Sequence, residues 1–116
     1  MNKILCSILI SNYNKEKYIK NCLESCINQT YENIEIIFAD NSSTDNSLNI
    51  LKEYPKIKTI KIERSTEFPA INQLQTLLKA LEVSKGQIIF LLDSDDFFNI
   101  DKVEKILKLY NKDQNK

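Results

Sequence analysis

Two hydrophobic rhythms alternate along the chain. Residues 3–10 form a nearly unbroken apolar run of strand length, and from 15 to 29 the apolar positions Ile19, Cys22, Leu23, Cys26 and Ile27 share one helical face. Residues 34–39 predict a second strand. The polar loop "DNSSTDNS" then leads into a short helix over 47–54, with Ser43 or Thr44 as its N-cap. Pro55 ends that helix, because a residue preceding proline is pushed out of the helical region, and 57–62 alternates as a third strand. A longer helix follows Pro69, with Ile71, Leu74, Leu78 and Leu81 as its buried stripe, and Gly86, the only glycine, stands where a helix C-cap is wanted. Residues 87–92 predict the fourth strand. Val103, Ile106, Leu107 and Tyr110 mark a closing helix, and residues 111–116 read as a solvated, flexible tail.

Strands that are apolar on both faces and alternate with helices imply an α/β fold: a Rossmann-like three-layer sandwich, its mostly parallel sheet covered by helices on both sides. In such sheets ligands bind beyond the carboxyl ends of the strands, near the point where strand order reverses. Three polar loops follow strand ends here, "SNYNK", "DNSSTD" and "DSDD". They are expected to converge on one edge.

Composition narrows what that edge can do. With 116 residues the chain is one domain, and 42% hydrophobic and 28% charged residues are ordinary for a globular protein. The formal net charge is zero and Arg64 is the only arginine, so the one-sided basic field needed for nucleic-acid binding is missing. No apolar run approaches the roughly 20 residues of a membrane span, and the N-terminus lacks a signal-peptide pattern, which predicts a cytoplasmic chain. Three cysteines without CxxC spacing read as buried free thiols. The absence of histidine excludes His-dependent catalytic triads and His-ligated metals. An ion handled by this chain is expected to be hard and oxygen-seeking.

The stretch "IIFLLDSDDFF" carries the strongest candidate chemistry, since Asp93, Asp95 and Asp96 crowd the end of an apolar strand. Like charges gathered in a fold require compensation. Mg²⁺ or Mn²⁺ would supply it, with one or two carboxylates plus substrate phosphates as ligands. In D-x-D spacing the first and third side chains point the same way, as the two-residue period of a strand requires. The alternative is a solvated acidic turn at the start of the last helix. Tyr13 offers a ring on which a planar base could stack, or is a half-buried loop tyrosine. The "ADNSSTDNS" loop could equally be a turn and cap.

Taken in order, "SILISNYNKEKYIKNCLESCINQTYENIEIIFADNSSTDNSLNIL" and "GQIIFLLDSDDFF" resemble the inverting GT-A fold glycosyltransferases of family 2, over residues 4–110. The resemblance implies a donor site for a nucleotide-diphosphate sugar. Ser11 and Tyr13 match positions at the base, with Tyr13 stacking. Asp40 and Asn41 match an acidic pair of which one member accepts the uracil N3–H. Asp93, Ser94 and Asp95 match the D-x-D that holds the ribose and, through Mg²⁺ or Mn²⁺, the diphosphate; Asp96 is a further candidate ligand. It implies a UDP-sugar donor, a glycan or lipid-linked acceptor in cell-envelope polysaccharide synthesis, and a full-length enzyme peripheral at the inner membrane face. This sequence departs from the pattern in three places. The pair is Asp-Asn instead of Asp-Asp. The family's Arg-Asn and Gly fall on Leu77, Leu78 and Ala80, which leaves Lys79 or Arg64 to meet the phosphates. The acceptor-binding half with its acidic base is not in the sequence, which leaves a truncated, weakly active or inactive transferase or, alternatively, a non-catalytic nucleotide-binding or interaction module.

Overall fold

The computed structural model describes residues 3–114. Strands β1 (Cys6–Asn12), β2 (Ile34–Asp40), β3 (Lys58–Lys61) and β4 (Ile88–Asp93) alternate with helices α1 (Glu16–Ile27), α2 (Ser47–Leu51), α3 (Pro69–Val83) and α4 (Lys102–Gln114). The sheet is parallel throughout, in the order β3-β2-β1-β4. The chain therefore steps outward from β1 through β2 to β3 and then returns to the other side of β1. The switch in direction lies between β1 and β4, where Ser11 is in register with Asp93.

On one face of the sheet Ile8, Ile10, Phe38, Phe90 and Leu92 are buried against Ile19, Cys22, Leu23 and Cys26 of α1, with Val103 and Leu107 of α4 closing the same core. The expected α1 stripe is the buried one, except Ile27, which is 45% exposed at the helix end. Cys6, Cys22 and Cys26 are free and buried, as expected. No described helix is long and apolar enough to cross a membrane.

The opposite face departs from the sequence reading. Helix α3 covers Leu9, Ile37 and Ala39, but it does so with Ala80, Asn72 and Thr76, which are at most 1% exposed. Ile71, Leu74, Leu78 and Leu81, the expected buried stripe, lie 46–57% exposed. The physical reason is that a small residue at the contact lets the helix lie close, and both polar residues find hydrogen-bond partners, Thr76 at the end of β2 and Asn72 in the segment after β3. Thr76 donates to the Asn72 carbonyl at 2.7 Å and accepts from Asn41 at 2.8 Å. Burial of an amide or hydroxyl is tolerated when each is bonded.

Gly86 also differs from expectation. Ser84 caps α3, its hydroxyl and amide both donating to the Leu81 carbonyl. Gly86 instead runs against β1, where its amide donates to Ser7 Oγ at 2.8 Å and a Cβ would come within 2.6 Å of the Ser7 amide nitrogen. The glycine is required by close approach, not by a left-handed turn. Helix α2 is shorter than expected, and neither Ser43 nor Thr44 caps it; both side chains bond to the loop after β1, while Asp45 Oδ1 accepts the Ser47 amide. Helix α4 takes in residues 111–114 of the expected tail, because a polar last turn propagates readily once a packed turn precedes it. Asn115 and Lys116 lie outside the described residues.

Candidate functional site

The loops after β1, β2 and β4 do converge. Asn12, at the tip of the central strand, donates to Asp40 Oδ1 at 2.8 Å and accepts from Ser94 Oγ at 2.6 Å, so one buried amide links all three strand ends. Asn14 ties the first two loops. Its backbone is left-handed (φ 53°), a conformation asparagine tolerates well, and its side-chain oxygen accepts the amides of Thr44 at 2.7 Å and Asp45 at 3.2 Å. Ser42 is also left-handed, at φ 59°, where a serine is strained.

Between these tips and the N-terminal half of α3 lies an open cleft of about 370 Å³. Its walls include Ser11, Tyr13, Asn41, Asp93, Ser94 and Asp95, which were singled out in the sequence. Tyr13 is 39% exposed, so its ring is a wall of the cleft and not part of the core. Asp93 Oδ1 accepts from Gln73 at 2.5 Å and from Ser11 Oγ at 3.2 Å, and the Lys15 ammonium stands 3.6 Å from Asp95. Both aspartates are exposed, so this exposed ion pair adds little to stability.

Two of the candidate residues are not on the cleft wall. Asp40 is fully buried, accepting the Ser43 amide at 2.9 Å, the Ser43 hydroxyl at 2.6 Å and the Asn12 amide, so its carboxylate organises the loops. Asp96 turns back onto its own neighbour, its carboxylate accepting the Phe97 amide at 2.8 Å while its amide closes a turn on the Asp93 carbonyl. No group of three or more His, Cys, Asp or Glu side chains gathers as a metal cage among the described residues. What the cleft does offer is two carboxylates, Asp93 and Asp95, with the Ser11 hydroxyl beside Asp93. That donor set fits an ion which completes its shell with phosphate oxygens and water.

The structure also brings in Lys15, Arg64, Asn72, Gln73 and Thr76. Leu77 is half-buried against the second core cluster and Leu78 is exposed, so the positions counted for the Arg-Asn pair stay out of the cleft. Of the two basic residues considered as substitutes, Lys79 pairs with Glu82 on the surface. Arg64 lies in the cleft, its guanidinium 3.7 Å above the Tyr13 ring and 3.1 Å from Asn41 Oδ1. Asn72, Gln73 and Thr76 escaped notice because the apolar stripe of α3 pointed to the wrong face. The polar positions of "INQLQT" were the available signal.

The sequence matches the family model for glycosyl transferase family 2 over residues 7–116. The chain belongs to glycosyl transferase family 2. Among its relatives, an uncharacterized glycosyltransferase of Haemophilus influenzae is 41% identical over 110 residues, 92% of this chain and 42% of that protein. A chondroitin synthase of Escherichia coli is 38% identical over 113 residues, 94% of this chain and 16% of that one. Among solved structures, S. aureus TarS in complex with UDP-GlcNAc superposes with a TM-score of 0.79 at 25% identity, covering 94% of this chain and 32% of TarS. The chain thus spans less than half the length of these relatives. The parallel sheet with flanking helices is the Rossmann-like fold that the family resemblance implies.

Proposed function

We propose that this chain is the donor-binding portion of a family 2 glycosyltransferase. It would hold a UDP-sugar with the base on Tyr13 and beside Asn41, the ribose at Asp93, and the diphosphate at Asp93 and Asp95 through Mg²⁺ or Mn²⁺. The observation that carries this reading is the gathering of Tyr13, Asn41, Asp93 and Asp95 around one cleft at the strand-order switch. When bound, the ion supplies positive charge against the diphosphate as it leaves. Lys15 sits beside Asp95, within reach of the same phosphates, and Arg64 is the one guanidinium available to the bound nucleotide. Transfer with inversion onto a glycan or lipid-linked acceptor would be the work of the whole enzyme, at the cytoplasmic face of a membrane.

The test is calorimetric titration of the chain with UDP, with and without Mn²⁺. UDP should bind in a metal-dependent manner, and Asp95→Ala should weaken it by about tenfold or more, the range for a lost charged contact. Indifference to UDP at millimolar concentration in the presence of Mn²⁺ would overturn the reading. Binding without any sugar transfer in the full-length context would leave a nucleotide-binding module.

A further inference from the structure

Asn41 is a side chain whose hydrogen-bonding sense is dictated from both ends. Thr76 has a single hydroxyl proton and gives it to the Asn72 carbonyl, one turn back on α3, at 2.7 Å. Toward Asn41 it can therefore only accept, which requires the Asn41 NH₂ group on that side, 2.8 Å away. At the other end the Arg64 guanidinium, which has donors and no acceptor, stands 3.1 Å from Oδ1. Both constraints demand the same orientation, amino group toward the helix and carbonyl toward the cleft. Asn41 is 3% exposed and Thr76 0%, so a reversed amide would leave buried polar groups unpaired.

The anchor on the cleft side is itself held. Arg64 lies over the Tyr13 ring, and the segment that follows it is pinned to α3 by Asn72. That side chain accepts the Ser65 amide at 3.3 Å and donates to the Thr66 carbonyl at 2.8 Å. An amide oxygen has two acceptor positions, and Arg64 occupies one. The second carries no hydrogen bond among the described residues, and Asn41 borders the cleft.

We infer that Thr76 sets the base selectivity of this cleft, as a positioning residue that presents Asn41 as a fixed acceptor. A base whose pairing edge carries a ring N–H, as in uracil or guanine, matches that acceptor. Cytosine presents a bare ring nitrogen at the same place and is opposed, acceptor against acceptor. The inference rests on the cleft being a nucleotide site and adds to it the origin of discrimination. It also gives the neutral asparagine a way to read the base: the role needs a fixed lone pair and does not need a charge.

The experiment compares dissociation constants for UDP, GDP and CDP with Mn²⁺ in the native chain, Thr76→Val and Thr76→Ser. Valine keeps the shape and removes the hydroxyl, which takes away the helix-side constraint and leaves the Asn41 amide held by Arg64 alone; serine keeps the hydroxyl. The native chain should favour UDP over CDP by about tenfold or more. T76V should lower that ratio by about threefold or more, and T76S should retain it. A cooperatively melting T76V with the native UDP-to-CDP ratio would overturn the inference, as would equal binding of UDP and CDP by the native chain. Failure of all three nucleotides to bind the native chain would overturn the donor-site reading and this inference with it, a result distinct from lost selectivity. Should T76V fail to fold, the smaller T76A carries the same expectation.

Discussion

The two faces of the sheet are held by different physics. On the face shared by α1, α2 and α4, large apolar side chains interlock: Phe38, Ile8, Ile10, Ile19 and Leu23 are wholly buried. On the α3 face the apolar cluster is small, centred on Leu9, Ile37, Ala39 and Ala80, and hydrogen bonds flank it at both ends. Near the carboxyl ends of the strands stands the Asn41–Thr76–Asn72 chain. Near the amino ends, Glu35 accepts from the Ser7 hydroxyl and the Lys85 amide, and Ser7 accepts the Gly86 amide. The first face buys stability; the second places polar groups beside the cleft. Helix α3 can line a binding site because it is not committed to filling a core.

That contrast is open to direct attack. The largest effect should come from the first face: Phe38→Ala removes a fully buried ring and should cost about 3–5 kcal/mol in denaturant unfolding. A loss under 1 kcal/mol would mean that this core does not dominate stability.

A smaller, pH-dependent effect should come from the second face. Burial alone would raise the Glu35 carboxyl, but the Lys85 and Gly86 amides and the Ser7 hydroxyl outweigh it and hold the group below its ordinary value of 4.5. The unfolded chain then binds more protons than the native one in this range. The contribution is complete above the ordinary carboxylate value and fades as pH falls below it through the lowered native value. Melting temperature should drop over that acidic window in the native chain, and Glu35→Gln should flatten this part of the profile. An unchanged acid limb would remove Glu35 from the account.

The smallest effect should come from the outer stripe of α3. Leu78→Gln replaces a side chain that is 51% exposed and should shift stability by no more than about 0.5 kcal/mol. A cost above 2 kcal/mol would show that the stripe is buried in solution.

The sequence alone determined the order of elements, the parallel α/β class and the family. Each rests on local information: strand-length apolar runs, proline and polar punctuation, and a string of motifs in fixed order. It also pointed to Tyr13, Asp93 and Asp95, because loops after parallel strands must meet on one edge, and the family resemblance added Ser11, Asn41 and Ser94; all six line the cleft. Only the tertiary structure decided which face of α3 turns inward. Periodicity shows that a helix has an apolar stripe but not whether a partner surface lies against it, and here Ala80, Thr76 and Asn72 fit the sheet more closely. The same limit hid the difference between Asp40 and Asn41. Adjacent residues at a strand end project to opposite sides, so one organises the loops and the other faces the cleft. Arg64 was legible as the only arginine, yet its seat over Tyr13 depends on contacts across the whole chain. Residue spacing encodes period and turn, whereas opposition across a sheet is fixed only when distant segments pack together.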